Sequence, residues 1–159
     1  MAEENVTEAV EKQFAIQKLF IKDVSFETPN SPMIFLDKWE PEVEFNLSSN
    51  VNPLKDDMYD VTIVTTITVK VGEKTAYLAE VNQSGIFLVK GFNDQEKGPM
   101  LGSYCPNVLF PYAREAISDL VTKGGFPPML LAPVNFDALY QQHMQKMQEN
   151  QAQSSDSIN

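Results

Sequence analysis

The run from Tyr59 to Val71 constrains this chain more than any other feature. Tyr59, Val61, Ile63, Ile67, Val69 and Val71 share one parity, and Asp60, Thr62, Val64, Thr66, Thr68 and Lys70 share the other. Successive side chains of a β-strand point to opposite faces, so period two in β-branched residues specifies a strand with one face buried. Gly72-Glu73-Lys74 then reads as a short glycine turn. From Thr75 the chain returns as a hairpin in which Tyr77, Ala79, Val81 and Gln83 alternate with Leu78, Glu80 and Asn82.

Two earlier stretches repeat the pattern. Over Gln13–Glu27, the residues Phe14, Ile16, Phe20, Val24 and Phe26 share a parity broken by Lys18 and Lys22, while the other parity ends Asp23, Ser25, Glu27. Over Glu42–Ser48, Val43, Phe45 and Leu47 alternate with Glu42, Glu44 and Asn46. Four strands with short or proline-bearing links specify an antiparallel sheet.

Beyond Gly85 the period changes. Residues 91–102 read as loop with at most a short helical turn. Leu109, Tyr112, Ala113, Ala116, Ile117, Leu120 and Val121 recur at helical spacing, and Gly124-Gly125 is a stop. Asn135 caps a second helix carrying Phe136, Leu139, Tyr140, Met144 and Met147. Strands first and helices last make the class α+β. The expected organisation is a mobile acidic arm over residues 1–12, one domain over 13–147, and a disordered polar tail over 148–159.

Charge narrows the partners. The chain has 12 Lys+Arg against 22 Asp+Glu, a net of −10, and Arg114 is its single arginine. Neutralising nucleic-acid phosphates or an anionic membrane surface needs cations, so both classes are disfavoured. The first 60 residues hold 13 acids and 5 lysines, so the negative charge is concentrated there. That concentration fits either solubility or a patch that steers a basic partner. The acidic opening residues differ from a secretory leader, and no apolar run reaches the ~18 residues of a membrane span. With one cysteine and one histidine, the reading is a cytoplasmic chain with no disulfide, cofactor or metal site.

Catalytic signals are weak. Cys105 and His143 could pair as nucleophile and base only with a third group to orient them, and nothing in the spacing supplies one. Asp56, Asp57 and Asp60 lack the glycine-bearing pattern of a calcium loop. More informative are two proline-broken apolar links, one from Thr28 to Pro41 with Met33, Ile34, Phe35, Leu36 and Trp39, the other from Phe126 to Val134. Loops normally run over the surface, so such side chains either fold down on the core or line a hydrophobic groove. Seven methionines add adaptable apolar surface. The residues alone thus describe a binding protein of low side-chain specificity.

Several stretches resemble the SecB family of bacterial protein-export chaperones. They are Lys22-Asp-Val-Ser-Phe-Glu-Thr-Pro-Asn, Trp39-Glu-Pro-Glu-Val, Tyr77-Leu-Ala-Glu-Val, Gly85-Ile-Phe, Tyr104-Cys-Pro-Asn-Val-Leu-Phe-Pro-Tyr-Ala-Arg-Glu and Leu131-Ala-Pro-Val-Asn-Phe-Asp-Ala-Leu-Tyr. The resemblance implies a four-stranded antiparallel sheet with the C-terminal helices packed on one side, and four protomers assembled as a dimer of dimers. It implies a holdase that binds unfolded precursors of exported proteins and delivers them to the SecA ATPase, without enzymatic activity or cofactor of its own.

By the same resemblance, the proline-broken links flank the client groove, with Met33, Phe35, Trp39, Phe126, Met129 and Leu131 as client-contacting residues. Asp23, Glu27, Leu78 and Glu80 match SecA-docking positions. Ala79, Val81 and Gln83 match the protomer-contact strand, and no metal is assigned. Two rival readings stand beside this one: a SecB-like chaperone dedicated to an antitoxin or another client, and a thiol enzyme or redox sensor using Cys105.

Overall fold

The computed structural model describes residues 10–156 of the 159-residue chain. Most of the expected acidic arm (residues 1–9), and residues 157–159 of the expected tail, lie outside the described residues. Strands β1 (Gln13–Glu27), β2 (Pro41–Pro53), β3 (Met58–Val71) and β4 (Lys74–Lys90) form one antiparallel sheet in the order β1-β4-β3-β2. Val71 pairs with Lys74 across the turn residues Gly72 and Glu73, and Gly72 has a φ of 61°, the left-handed value a tight hairpin needs. Between β2 and β3, Asp56 and Asp57 both turn through positive φ, and the Leu54 N–H donates to the Met58 carbonyl at 2.8 Å.

The parity read from β3 and β4 is the parity observed. Val61, Ile63, Ile67, Val69, Tyr77, Val81, Phe87 and Val89 are fully buried on one face. The other face carries Thr62, Thr66, Thr68, Leu78, Glu80 and Asn82.

β1 departs from the simple alternation. Its pairing with β4 slips between Ile16 and Lys18 and again between Ile21 and Asp23, leaving Gln17 and Lys22 as extra residues. Each bulge reverses the parity that follows it. Phe14 therefore faces the core, Leu19 rather than Phe20 does so after the first bulge, and Phe26 does so after the second. Phe20, expected inside, stands opposite Ser84 on the outer face. The two slips cancel, so Asp23, Ser25 and Glu27 point outward.

One helical body covers the inner face. It comprises α1 (Asp94–Pro99), a π-turn over Met100–Tyr104, and α2 (Cys105–Lys123). The loop expected over 91–102 is thus largely helical. Asn93 and Glu96 cap it reciprocally: the Asn93 side chain accepts from the Glu96 N–H at 2.9 Å, and the Glu96 carboxylate accepts from the Asn93 N–H at 3.2 Å. The ladder loosens into the π-turn directly after Pro99, whose ring nitrogen has no hydrogen to donate. Leu109, Ala113, Ile117 and Val121 recur every fourth residue on the buried stripe that packs on β3 and β4.

Helix α3 (Phe136–Asp156) is held by its first turns. Phe136 is buried against Phe110 at 5.7 Å between ring centroids, and Ser103 donates to the Asp137 carboxylate. The Tyr140 ring lies over Gly102 and its hydroxyl over Gly98, each in the space a Cβ would take. Residues 148–156, expected to be disordered, continue this helix, and all side chains from Gln141 to Asp156 are exposed. Glutamine, lysine and methionine favour helix without packing, which composition alone disguises as low-complexity tail.

Candidate functional site

The two proline-broken links, far apart in sequence, meet at one ring. Phe126 lies 5.0 Å from Phe35, 5.8 Å from Trp39 and 4.9 Å from Tyr77, measured between ring centroids. Tyr77 in turn lies 5.8 Å from Phe26 of β1. Phe126 and Leu131 are buried, Trp39 and Met129 are half-buried, and Phe35 and Met33 (63%) are exposed. The cluster therefore combines both expected roles: inner residues seal the core while their neighbours stay in solvent.

Local sequence explains the division. A 3₁₀ turn over Met33–Leu36 points Ile34 into the core (3% exposed) and turns Met33, Phe35 and Leu36 outward. After α2, Gly124 lies against the Phe26 ring, and Gly125, with a φ of 85°, lies under Phe35. Ser118 fastens the second link by donating to the Met129 carbonyl at 2.7 Å. Leu36 and Leu130, each 79% exposed, flank the expected contact residues without being among them. Their signal was available: both sit beside anchored residues in an apolar run.

Apolar surface continues under α3. A groove of about 700 Å³ is lined by Leu47 and Val51 of β2, Leu101, and Leu139, Met144 and Met147 of α3. A second recess of about 550 Å³ lies between Phe14, Met100, Tyr104 and Phe136.

On the outer face, the second bulge brings four residues into register. Asp23 stands opposite Asn82, Ser25 opposite Glu80, and Glu27 opposite Leu78. Directly opposed residues of an antiparallel pair share a face, so Asp23, Glu27, Leu78 and Glu80 form one contiguous patch. Among the described residues, none of its three acids has an ion-pair partner, and Glu80 accepts only from the Thr66 hydroxyl at 3.2 Å.

Ala79, Val81 and Gln83 lie on the opposite, inner face and are buried within the chain. Val81 and Ala79 stand opposite Val24 and Phe26 of β1, and the Gln83 amide donates to the Phe20 carbonyl at 3.1 Å.

Cys105 is fully buried, and burial pushes its thiol up to about 12. A nucleophilic cysteine needs the opposite shift. His143 stands on the exposed stretch of α3. Among the described residues no group of three or more His, Cys, Asp or Glu is placed to hold a metal ion, and no helix is long and apolar enough to cross a membrane.

Residues 7–147 match the family model described as preprotein translocase subunit SecB. A protein-export protein SecB of Methylococcus capsulatus is 66% identical over 153 residues, covering 96% of this chain and 97% of that protein. The chain belongs to the SecB family of protein-export chaperones. SecB proteins of Nitrosococcus oceani and Marinobacter nauticus are 55% and 50% identical, covering 86% and 88% of this chain and 84% and 85% of theirs. A SecB-like chaperone of Mycobacterium tuberculosis, solved with an antitoxin peptide, shares the fold at a TM-score of 0.62 and 15% identity. It covers 76% of this chain and 89% of its own. This SecB-family chain thus places its exposed apolar loops at the sheet–helix margin and its acidic residues on the bare sheet face.

Proposed function

We propose that this chain is a cytoplasmic holdase that keeps unfolded precursors of exported proteins extended and hands them to SecA, working as a dimer of dimers. The observation that carries the reading is the Phe126 hub, with Met33, Phe35, Leu36 and Leu130 exposed around buried anchors. Exposed apolar side chains on a rigid support give many weak contacts to a long chain, and such contacts sum without demanding a defined sequence. Trp39, Met129, Leu131 and Phe126 belong to the same surface, the last two chiefly as its floor.

Asp23, Glu27, Leu78 and Glu80 are the SecA-docking patch in this reading. Their unpaired carboxylates support attraction of a basic partner, and the opposed pair of Glu27 and Leu78 adds an apolar centre. Assembly is supported by exposed Ile16, Ile21 and Val24 on edge strand β1, with Ala79, Val81 and Gln83 holding that strand from behind. Free strand edges with apolar neighbours are what a second protomer covers. The chain performs no chemistry of its own, a reading supported by the buried, raised thiol of Cys105.

The test is refolding of an export precursor with purified protein and no nucleotide. The expected result is a slowed refolding that the Phe35→Ala/Trp39→Ala variant no longer gives. An unaltered delay with that variant would remove the groove assignment. Cross-linked clients recovered from cells and sorted by signal sequence separate export from an antitoxin-dedicated role.

A further inference from the structure

The bulge at Lys22 has a clasp of its own. Lys22 has no opposite residue on β4, and its ammonium reaches over that strand to β3, meeting the Asp60 carboxylate at 2.8 Å and the Thr62 hydroxyl at 3.2 Å. Thr62 is bonded in turn to Ser84 of β4 at 2.6 Å, so the three strands are tied across one row. The Lys22 side chain also passes over the Phe20 ring, with the ammonium 6.0 Å from its centroid. Asp60 is the more buried partner, with 17% of its side chain exposed against 42% for Lys22.

Burial of Phe26 against Tyr77 demands an extra residue somewhere between Ile21 and Phe26, but does not say where. If the bulge moved to Val24, Lys22 would stand opposite Asn82 and Asp23 opposite Val81. Phe26 would keep its seat, yet Asp23 would turn to the inner face and a cation would take its place in the acidic patch. With the bulge where it is observed, Lys22 is the extra residue and its ammonium is held by Asp60 and Thr62 across β4.

We infer that Lys22, through Asp60 and Thr62, is a positioning residue that holds the β1 bulge at residue 22 and so keeps Asp23 on the docking face. The inference rests on the SecA-docking reading of that face. It makes a prediction of unusual sign. Lys22→Met removes a cation beside an acidic patch, so charge counting alone predicts tighter binding of a basic partner. A displaced Asp23 predicts weaker binding instead.

The experiment is titration of the full-length chain with purified SecA at low ionic strength, alongside client retention for each variant. Lys22→Met is expected to weaken SecA binding roughly tenfold, within the coupling range of residues that share a network. Lys22→Arg retains wild-type affinity, Asp60→Asn reproduces the loss, and client retention is unchanged in all three. In the Lys22→Met background, Asp23→Asn costs little further, whereas Glu27→Lys still weakens binding. Equal or tighter binding by Lys22→Met, while Asp23→Lys weakens the wild type, overturns the clasp and leaves the docking patch standing. Loss of client retention together with SecA binding also overturns it, because the role is then general stability. If Asp23→Lys itself leaves SecA affinity unchanged, the docking reading fails and the clasp falls with it.

Discussion

The Phe126 ring lies 4.9 Å from the ring of Tyr77, so an aromatic contact fastens the loop after α2 to the first turn-proximal residues of β4. Tyr77 is fully buried and Phe126 nearly so. Leu130 can therefore stay in solvent without the loop collapsing on the core, beside a half-buried Met129. Support and exposure are divided between neighbours, and each can be altered separately.

Truncating the anchor and truncating the rim should have different signatures. Phe126→Ala removes a buried ring and costs about 3–5 kcal/mol in urea unfolding. Leu36→Ala and Leu130→Ala delete exposed side chains, so stability moves by less than about 0.5 kcal/mol while retention of unfolded client falls. Loss of stability in the rim variants would place those leucines in the core instead.

Gly124 has a steric duty. A Cβ there would lie 2.6 Å from the Phe26 ring, which is itself packed on Tyr77. Gly124→Ala should destabilise by about 1–3 kcal/mol through overpacking. Adding Phe26→Leu should recover part of the loss, a coupling readable in a double-mutant cycle.

Alkali should unfold the chain through two buried acids. Burial pushes Cys105 up from 9.0 to about 12 and Tyr77 up from 10.0 to about 12. Both stay neutral when folded and ionise sooner when unfolded. Their contribution is complete below the unfolded values and drains away as pH climbs toward the folded ones. Urea midpoints should fall from about pH 8 to about pH 11, and the Cys105→Ala/Tyr77→Phe variant should flatten that slope.

Tyr77→Phe alone should be benign near neutrality. The Tyr77 hydroxyl is buried with no hydrogen-bond partner among the described residues. Removing it relieves a desolvated polar group, so stability should hold or rise by up to about 1 kcal/mol. A marked loss would reveal a bonded hydroxyl.

Slow labelling separates a structural thiol from a reactive one. Cys105 in the folded chain should react with a thiol reagent far more slowly than in urea, because burial keeps it a neutral thiol. Rapid modification of the native protein would restore the catalytic alternative.

How much of this was legible follows from how local each determinant is. β3 and β4 could be read because the alternation of Val61, Ile63, Ile67 and Val69 carries its own face assignment. β1 could be read only as a strand. Lys18 and Lys22 interrupted the apolar parity, but whether an interruption is a bulge or an exposed edge depends on the partner strand. Phe20 was consequently assigned to the wrong face, while Asp23 and Glu27 came out right because two slips restore the starting parity. The helix over Asp94–Pro99 was hidden by Gly98 and Pro99, whose helix propensity is poor, although Asn93 and Glu96 cap it and Tyr140, much later in the chain, packs against Gly98. The apolar links were found as loops, but not which side chains they bury. Ile34 and Leu36 differ only by a turn that sequence does not display.

The Tyr140 seat has an implication for how this family can vary. The body recognises α3 at Gly98 and Gly102 through missing atoms, since the Tyr140 ring fills the space beside Gly102 and its hydroxyl the space beside Gly98. The two positions differ in what a methyl would meet: on Gly102 it collides with the ring edge, on Gly98 with the hydroxyl. Phenylalanine at position 140 would relieve the second collision but not the first. Lineages should therefore keep an aromatic residue and Gly102 together, while Gly98 is free to change once the hydroxyl is gone.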